Sequence, residues 1–120
     1  MKIISFASTT PAVQAGRKTR TRRDWSLKHA QSYRAGEIVQ AYDKSPRQHG
    51  QRFGYIRLTQ APFLYSTAFL TSADWELEGF DYLTEIGALV FGKQPIDVWN
   101  DWHDHPREMW VVDFEVVELP

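Results

Sequence analysis

The chain divides near its midpoint into halves of opposite sign. Residues 1–60 hold 12 of the 14 Lys and Arg against three acids (Asp24, Glu37 and Asp43), a net of +9, whereas residues 61–120 hold Lys93 and Arg107 against 12 acids, a net of −10. Folding can interleave these halves and neutralise them. Five cations between Arg17 and Arg23 nevertheless stand too densely for ordinary pairing, so a local anion site is expected there despite an overall net charge of −1. A uniformly basic face for duplex DNA is not expected.

At 120 residues the chain fits one domain, spanning 1–120, and its 42% apolar and 24% charged content is that of an ordinary globular protein with a real core. It has no cysteine, which excludes disulfides, thiolate metal sites and a cysteine nucleophile, and removes any dependence on an oxidising compartment. The apolar start, Met1 to Ala7, breaks at Ser8-Thr9-Thr10-Pro11. It is too short for a signal sequence or a membrane span and reads as the first strand of a soluble, cytoplasmic protein.

Thr10-Pro11 reads as a helix start and Gly16 as its left-handed stop, giving a short helix over 11–15. Thr19 to Arg23, with threonines at alternate positions, then reads as a strand. Tyr33 to Glu37 is a turn signal before a strand from Ile38 to Tyr42, and a polar loop, Lys44 to Gln51, joins that strand antiparallel to another over 53–59. A further strand is expected at 63–69, helices near 72–78 and 81–91, and a closing strand over 108–119. In the last, Trp110, Val112, Phe114 and Val116 form one face. Short strands with few helices, the helices inserted early and late, suggest a small barrel with helices packed at its openings, whereas periodicity alone stops at α+β.

Gly16-Arg17-Lys18-Thr19-Arg20-Thr21-Arg22-Arg23-Asp24 places a turn, a lysine, two hydroxyls and four guanidiniums in one short stretch. A strand would put Lys18, Arg20 and Arg22 on one side and Thr19, Thr21 and Arg23 on the other, so Lys18 and Thr21 can cooperate only across a bend near Gly16 to Thr19. Crowded guanidiniums disfavour a charged ammonium, which would let Lys18 act as a base toward a threonine hydroxyl. The commoner fate of such a run is a solvated basic strand.

The segment fits the ASCH pattern of Gly, any residue, Lys, any four residues and Arg through Gly16, Lys18 and Arg23. The longer match over residues 16–24 resembles the stretch found in small bacterial ASCH proteins that hydrolyse N4-acetylcytidine. That resemblance implies a PUA-like β-barrel, and it implies Lys18 as base and Thr21 as nucleophile. Glu76-Leu77-Glu78-Gly79-Phe80 is similar to the acid before Gly-Phe in the same family, which implies Glu78 as the third catalytic residue, with Glu76 as its rival. A glutamate before a helix-ending glycine is also a common solvated position. Two stretches depart from the family pattern, Trp25 to Ser32 and Trp99 to His105, and either would reshape the pocket.

The function expected from these readings is binding of RNA or a modified nucleoside and hydrolysis of an N4-acylated cytidine. Arg17, Arg20, Arg22, Arg23 and Trp25 are the expected substrate or RNA contacts. A non-catalytic RNA-binding module and a ribonuclease are the alternatives. Trp25, Trp75, Trp99 and Trp102 lie in polar contexts where an indole can stack on a base, although packing across a barrel mouth is the more usual role. Asp101, His103, Asp104 and His105 read as an exposed loop before Pro106, and neither a metal site nor a cofactor is expected there or elsewhere.

Overall fold

In the computed structural model, which describes residues 1–118, six strands and five short helices alternate along the chain. Strand β1 (Ile3–Ser5) leads through a 3-10 turn at Ala7–Thr9 into helix α1 (Thr10–Gln14), with Pro11 in its first turn. Gly16 takes a left-handed φ of 71°, which ends α1 and turns the chain toward β2 (Arg20–Arg23). The stretch that departs from the family pattern forms α2 (Leu27–Gln31), capped by the Ser26 hydroxyl, which accepts from His29 N.

Strands β3 (Ile38–Tyr42) and β4 (Arg52–Leu58) pair antiparallel around the expected polar loop. After β5 (Phe63–Ser66), the strand expected to reach residue 69 gives way to a 3-10 turn, because the Ser66 hydroxyl accepts from Ala68 N and bends the backbone. Helices α3 (Ser72–Leu77) and α4 (Phe80–Glu85) follow, then α5 (Pro95–Asp104) and β6 (Glu108–Val117). Of the closing strand read from sequence, Leu119 lies outside the described residues. Helix α4 stops short of the expected 91 because Gly87 is left-handed, at φ 69°. Helix α5 replaces the loop expected before Pro106: Pro95 opens it, and Pro95, Val98, Trp99 and Trp102 recur on one helical face.

The sheet runs β1-β3-β4-β6-β2, with β1 parallel to β3 and β5 lying against the first half of β6. It is mixed α+β but not closed into a barrel, since β1 and β2, of three and four residues, end the strand order without pairing to each other. Closure is replaced by side chains. Phe6 and Val13, from the segment between those strands, pack with Ile4, Val39, Ala41, Ile56, Leu58, Val112 and Phe114 in the main core.

A second cluster joins the helices to the sheet through Ala12, Phe80, Leu83, Val90 and Trp102, with Trp75, Trp99 and Met109 against it. Strand β6 is therefore covered on both faces in its middle. This is why Val111 is as buried as Val112, while Val116 near the strand's end is 53% exposed, against the simple alternation expected from sequence.

Candidate functional site

The open edges of the sheet bound a cleft of about 380 Å³, which falls within the range of small-ligand pockets. Ser5 and Phe6 from the end of β1, Lys18 and the residues Thr21 to Asp24 from the β2 segment, Glu78 and Phe80 from the α3–α4 junction, and Trp102 from α5 all line it. The α3–α4 junction reaches this position because of Gly79. It sits at φ 79°, and a Cβ there would lie 2.7 Å from Ala12 Cβ and 3.0 Å from Lys18 Cβ, so only glycine lets this turn rest on the α1–β2 junction. Thr19 N donates to Leu77 O at 2.9 Å and fixes the same approach. Glu78, between these two contacts at Leu77 and Gly79, is thereby carried against Lys18.

Lys18, Thr21 and Glu78 are 2%, 4% and 2% exposed and share this cleft. Lys18 Nζ donates to Glu78 Oε1 at 2.9 Å and to the Glu78 carbonyl at 3.1 Å. Arg22 donates to Glu78 Oε2 at 2.5 Å and to Asp74 Oδ1 at 2.7 Å. The expected direct pairing of Lys18 with Thr21 is not made: among the described residues no hydrogen bond joins them, and Thr21 Oγ1 instead accepts from Arg23 Nε at 3.2 Å. Burial pushes the Lys18 pKa below the usual lysine value, and the Arg23 and Arg22 charges act in the same direction against the attraction of Glu78. Glu76, the rival acid, is exposed.

The dense basic run is largely neutralised, contrary to the sequence expectation. Arg17 bonds Asp81 at 2.9 Å and also Glu85, while Arg20 bonds Asp113 at 2.6 and 2.9 Å and Asp74 at 2.8 Å. Of the five cations, only Arg23 has no carboxylate within ion-pair distance among the described residues. Its guanidinium lies 5.4 Å over the Phe6 ring. Arg22 and Arg23 line the cleft; Arg17 and Arg20 do not. Trp25 also lies outside it, stacked on Tyr33 with ring centroids 4.7 Å apart. Trp75 and Trp99 pack edge-on against each other, which leaves Trp102 as the one proposed stacking tryptophan on the cleft wall.

The cleft also takes Asp24, the last residue of the 16–24 motif, and residues to which the sequence reading gave no role: Phe6, Phe91, Lys93, Arg107 and Met109. Phe91-Gly92 was a usable turn signal, hidden because 81–91 read as one helix. His103 Nδ1 lies 3.1 Å from Trp99 O and His105 Nδ1 3.2 Å from Asp101, and among the described residues no three His, Cys, Asp or Glu side chains gather as a metal site would require.

No family model matches the chain, and no curated protein matches it. Among solved structures it is similar to protein EF3133 from Enterococcus faecalis V583, described by the family model DUF984. The TM-score is 0.58 at 20% identity, covering 98% of this chain and 76% of that one. Identity this low carries the fold and leaves the chemistry to be argued from the cleft.

Asp74 gives the network a measurable pH signature. Burial alone would raise its pKa, but Arg22, the Thr71 backbone N–H and Arg20 outweigh that and hold it at about 2. Because the folded value is depressed, this stabilisation is complete above the unfolded carboxyl pKa and is lost as pH falls through about 2. Chemical denaturation in Asp74→Asn should therefore show a flatter loss of stability between roughly pH 5 and pH 2 than the parent chain.

Proposed function

We propose that the cleft binds a modified pyrimidine nucleoside and hydrolyses an N4-acyl amide on it. The observation that carries this reading is the burial of Lys18, Thr21 and Glu78 around one cleft of nucleoside size. On this reading the open sheet is a PUA-like barrel parted between β1 and β2, and the protein is a cytoplasmic ASCH-type amidohydrolase.

Thr21 Oγ would add to the amide carbonyl while its proton passes to neutral Lys18 Nζ. The depressed Lys18 pKa keeps that neutral form accessible. The Arg23 guanidinium, beside Thr21 Oγ1 at 3.2 Å, suits the negative charge that develops on the adjacent carbonyl oxygen of the substrate. As the C–N bond breaks, Lys18 returns the proton to the leaving exocyclic amine. Water, deprotonated by Lys18, then releases the acyl group as its acid and restores Thr21. With each carboxylate oxygen already bonded to a cation, Glu78 orients Lys18.

Chromatography of N4-acetylcytidine incubated with the intact protein should show cytidine and acetate, at a rate that rises with pH as Lys18 loses its proton. Absence of product would sink the reading.

One observation favours a second reading, a non-catalytic RNA-binding module. Lys44 and Arg47 on the β3–β4 loop and Arg52 at the start of β4 are exposed without a carboxylate partner among the described residues. The loop begins beside Tyr42, which pairs with Ser5 of the cleft. Such a tip suits a phosphate backbone.

A further inference from the structure

We propose that Phe91 is the base-stacking residue of the cleft, holding the planar ring of the ligand at its mouth; this rests on the cleft being a nucleoside site. Phe91 and Gly92 form the two central residues of a tight turn, closed by Val90 N to Lys93 O at 2.7 Å and Lys93 N to Val90 O at 3.1 Å. Both have positive φ, 49° and 79°. Such a turn favours Asn or Gly at its first central position, and a bulky aromatic residue there is a backbone outlier.

The conformation is held from both sides. Val90 is buried in the second core cluster, and Phe91 N donates to Ser8 Oγ at 3.1 Å. Ser8 itself follows Ala7, another non-glycine residue with positive φ, 46°. Two of the three such residues among those described are thus linked through Ser8 beside the cleft, where outliers of this kind tend to serve function.

The held ring gains little from the fold, since Phe91 is 76% exposed although it lines the cleft. Phe6, Phe80 and Trp102, the other aromatic residues of the lining, are buried at 2%, 2% and 8% and have their faces occupied by neighbours. Phe91 is the aromatic ring of the lining left free to receive a ligand. Behind it the wall is cationic, with Lys18, Arg22, Arg23, Lys93 and Arg107 against Asp24, Glu78 and Asp101, an excess of two positive charges. A flat ring carrying polar or anionic substituents fits this combination of features.

The test compares Phe91→Asn and Phe91→Trp, each made in the Thr21→Ala chain so that N4-acetylcytidine can be titrated calorimetrically without turnover. Asn is the residue the turn prefers, so the Asn variant should melt at the same temperature or about 2–5 °C higher, and it should bind roughly tenfold or more weakly. The Trp variant should bind at least as tightly as its Thr21→Ala parent. Equal affinity of the Asn variant and that parent, or loss of binding in the Trp variant with the fold intact, would overturn the assignment. Binding that depends on Phe91, together with no hydrolysis by the Thr21-bearing protein, would support the assignment while removing the proposed reaction. Hydrolysis by the Thr21-bearing protein, together with Phe91-independent binding, would do the reverse. Failure to bind any acylated or plain cytidine would overturn both.

Discussion

Glu78→Ala is expected to destabilise the protein by about 3–5 kcal/mol, the usual effect of removing one partner from a buried ion network. Glu78 is 2% exposed and is the anion shared by Lys18 and Arg22, both also buried. Its loss leaves the Lys18 ammonium with only the backbone carbonyl of residue 78, and leaves Arg22 with only Asp74. In a chain of this length the melting temperature should fall by roughly 10–25 °C. A position at a solvated cleft edge would have made this site tolerant; its burial does not. Removing the charges together separates the pair's attraction from its desolvation. The triple variant Lys18→Met, Arg22→Leu, Glu78→Leu should recover much of the lost stability, since apolar replacement of buried charges is often neutral and Asp74 keeps Arg20 as its partner. A Glu78→Ala chain that melts within a degree or two of the parent would show that the network is not closed from water.

Lys18→Ala and Thr21→Ala should each lower turnover of an N4-acylated cytidine by roughly 10³-fold or more, with the double variant scarcely worse than either single one. Groups that act as one unit behave in this non-additive way, and multiplied losses would mean that the two act separately. Both single variants should stay folded, because Lys18→Ala leaves Glu78 paired with Arg22, and Thr21 gives up only an acceptor for Arg23. The same variants divide the two functional readings. RNA affinity carried by the β3–β4 tip should survive Thr21→Ala and fall with added salt. Full hydrolytic activity in Thr21→Ala would remove the nucleophile assignment.

The signals legible in the sequence were local. Gly16 announced a left-handed helix stop and Gly79 a helix end, and both have left-handed φ. The β3–β4 hairpin follows from β-branched and aromatic runs on either side of a polar loop with Pro46 and Gly50. The Gly-x-Lys stretch and the Glu-Gly-Phe junction pointed to Lys18, Thr21 and Glu78 only through their resemblance to a family motif, and the three line one cleft. Each of these signals lies within a few residues of the chain, where backbone sterics and side-chain spacing act directly.

What depended on partners far away in sequence could not be read in this way. Arg17, Arg20 and Arg22 looked free for phosphate because their carboxylates, Asp81, Asp113 and Asp74, stand 52–93 residues further on. Helix α5 was obscured by its Asp, Asn and His content, whose low helix propensity was outweighed by packing of Trp99 and Trp102 on Phe80. The open seam between β1 and β2, and the cleft within it, depend on which edges pair. The sequence alone determined the helix stops at Gly16 and Gly79, the hairpin and the reactive residue types. Tertiary structure decided which cations are neutralised, which rings are free and where the sheet stays open, because pairing and burial are set by whatever neighbour the folded chain brings alongside.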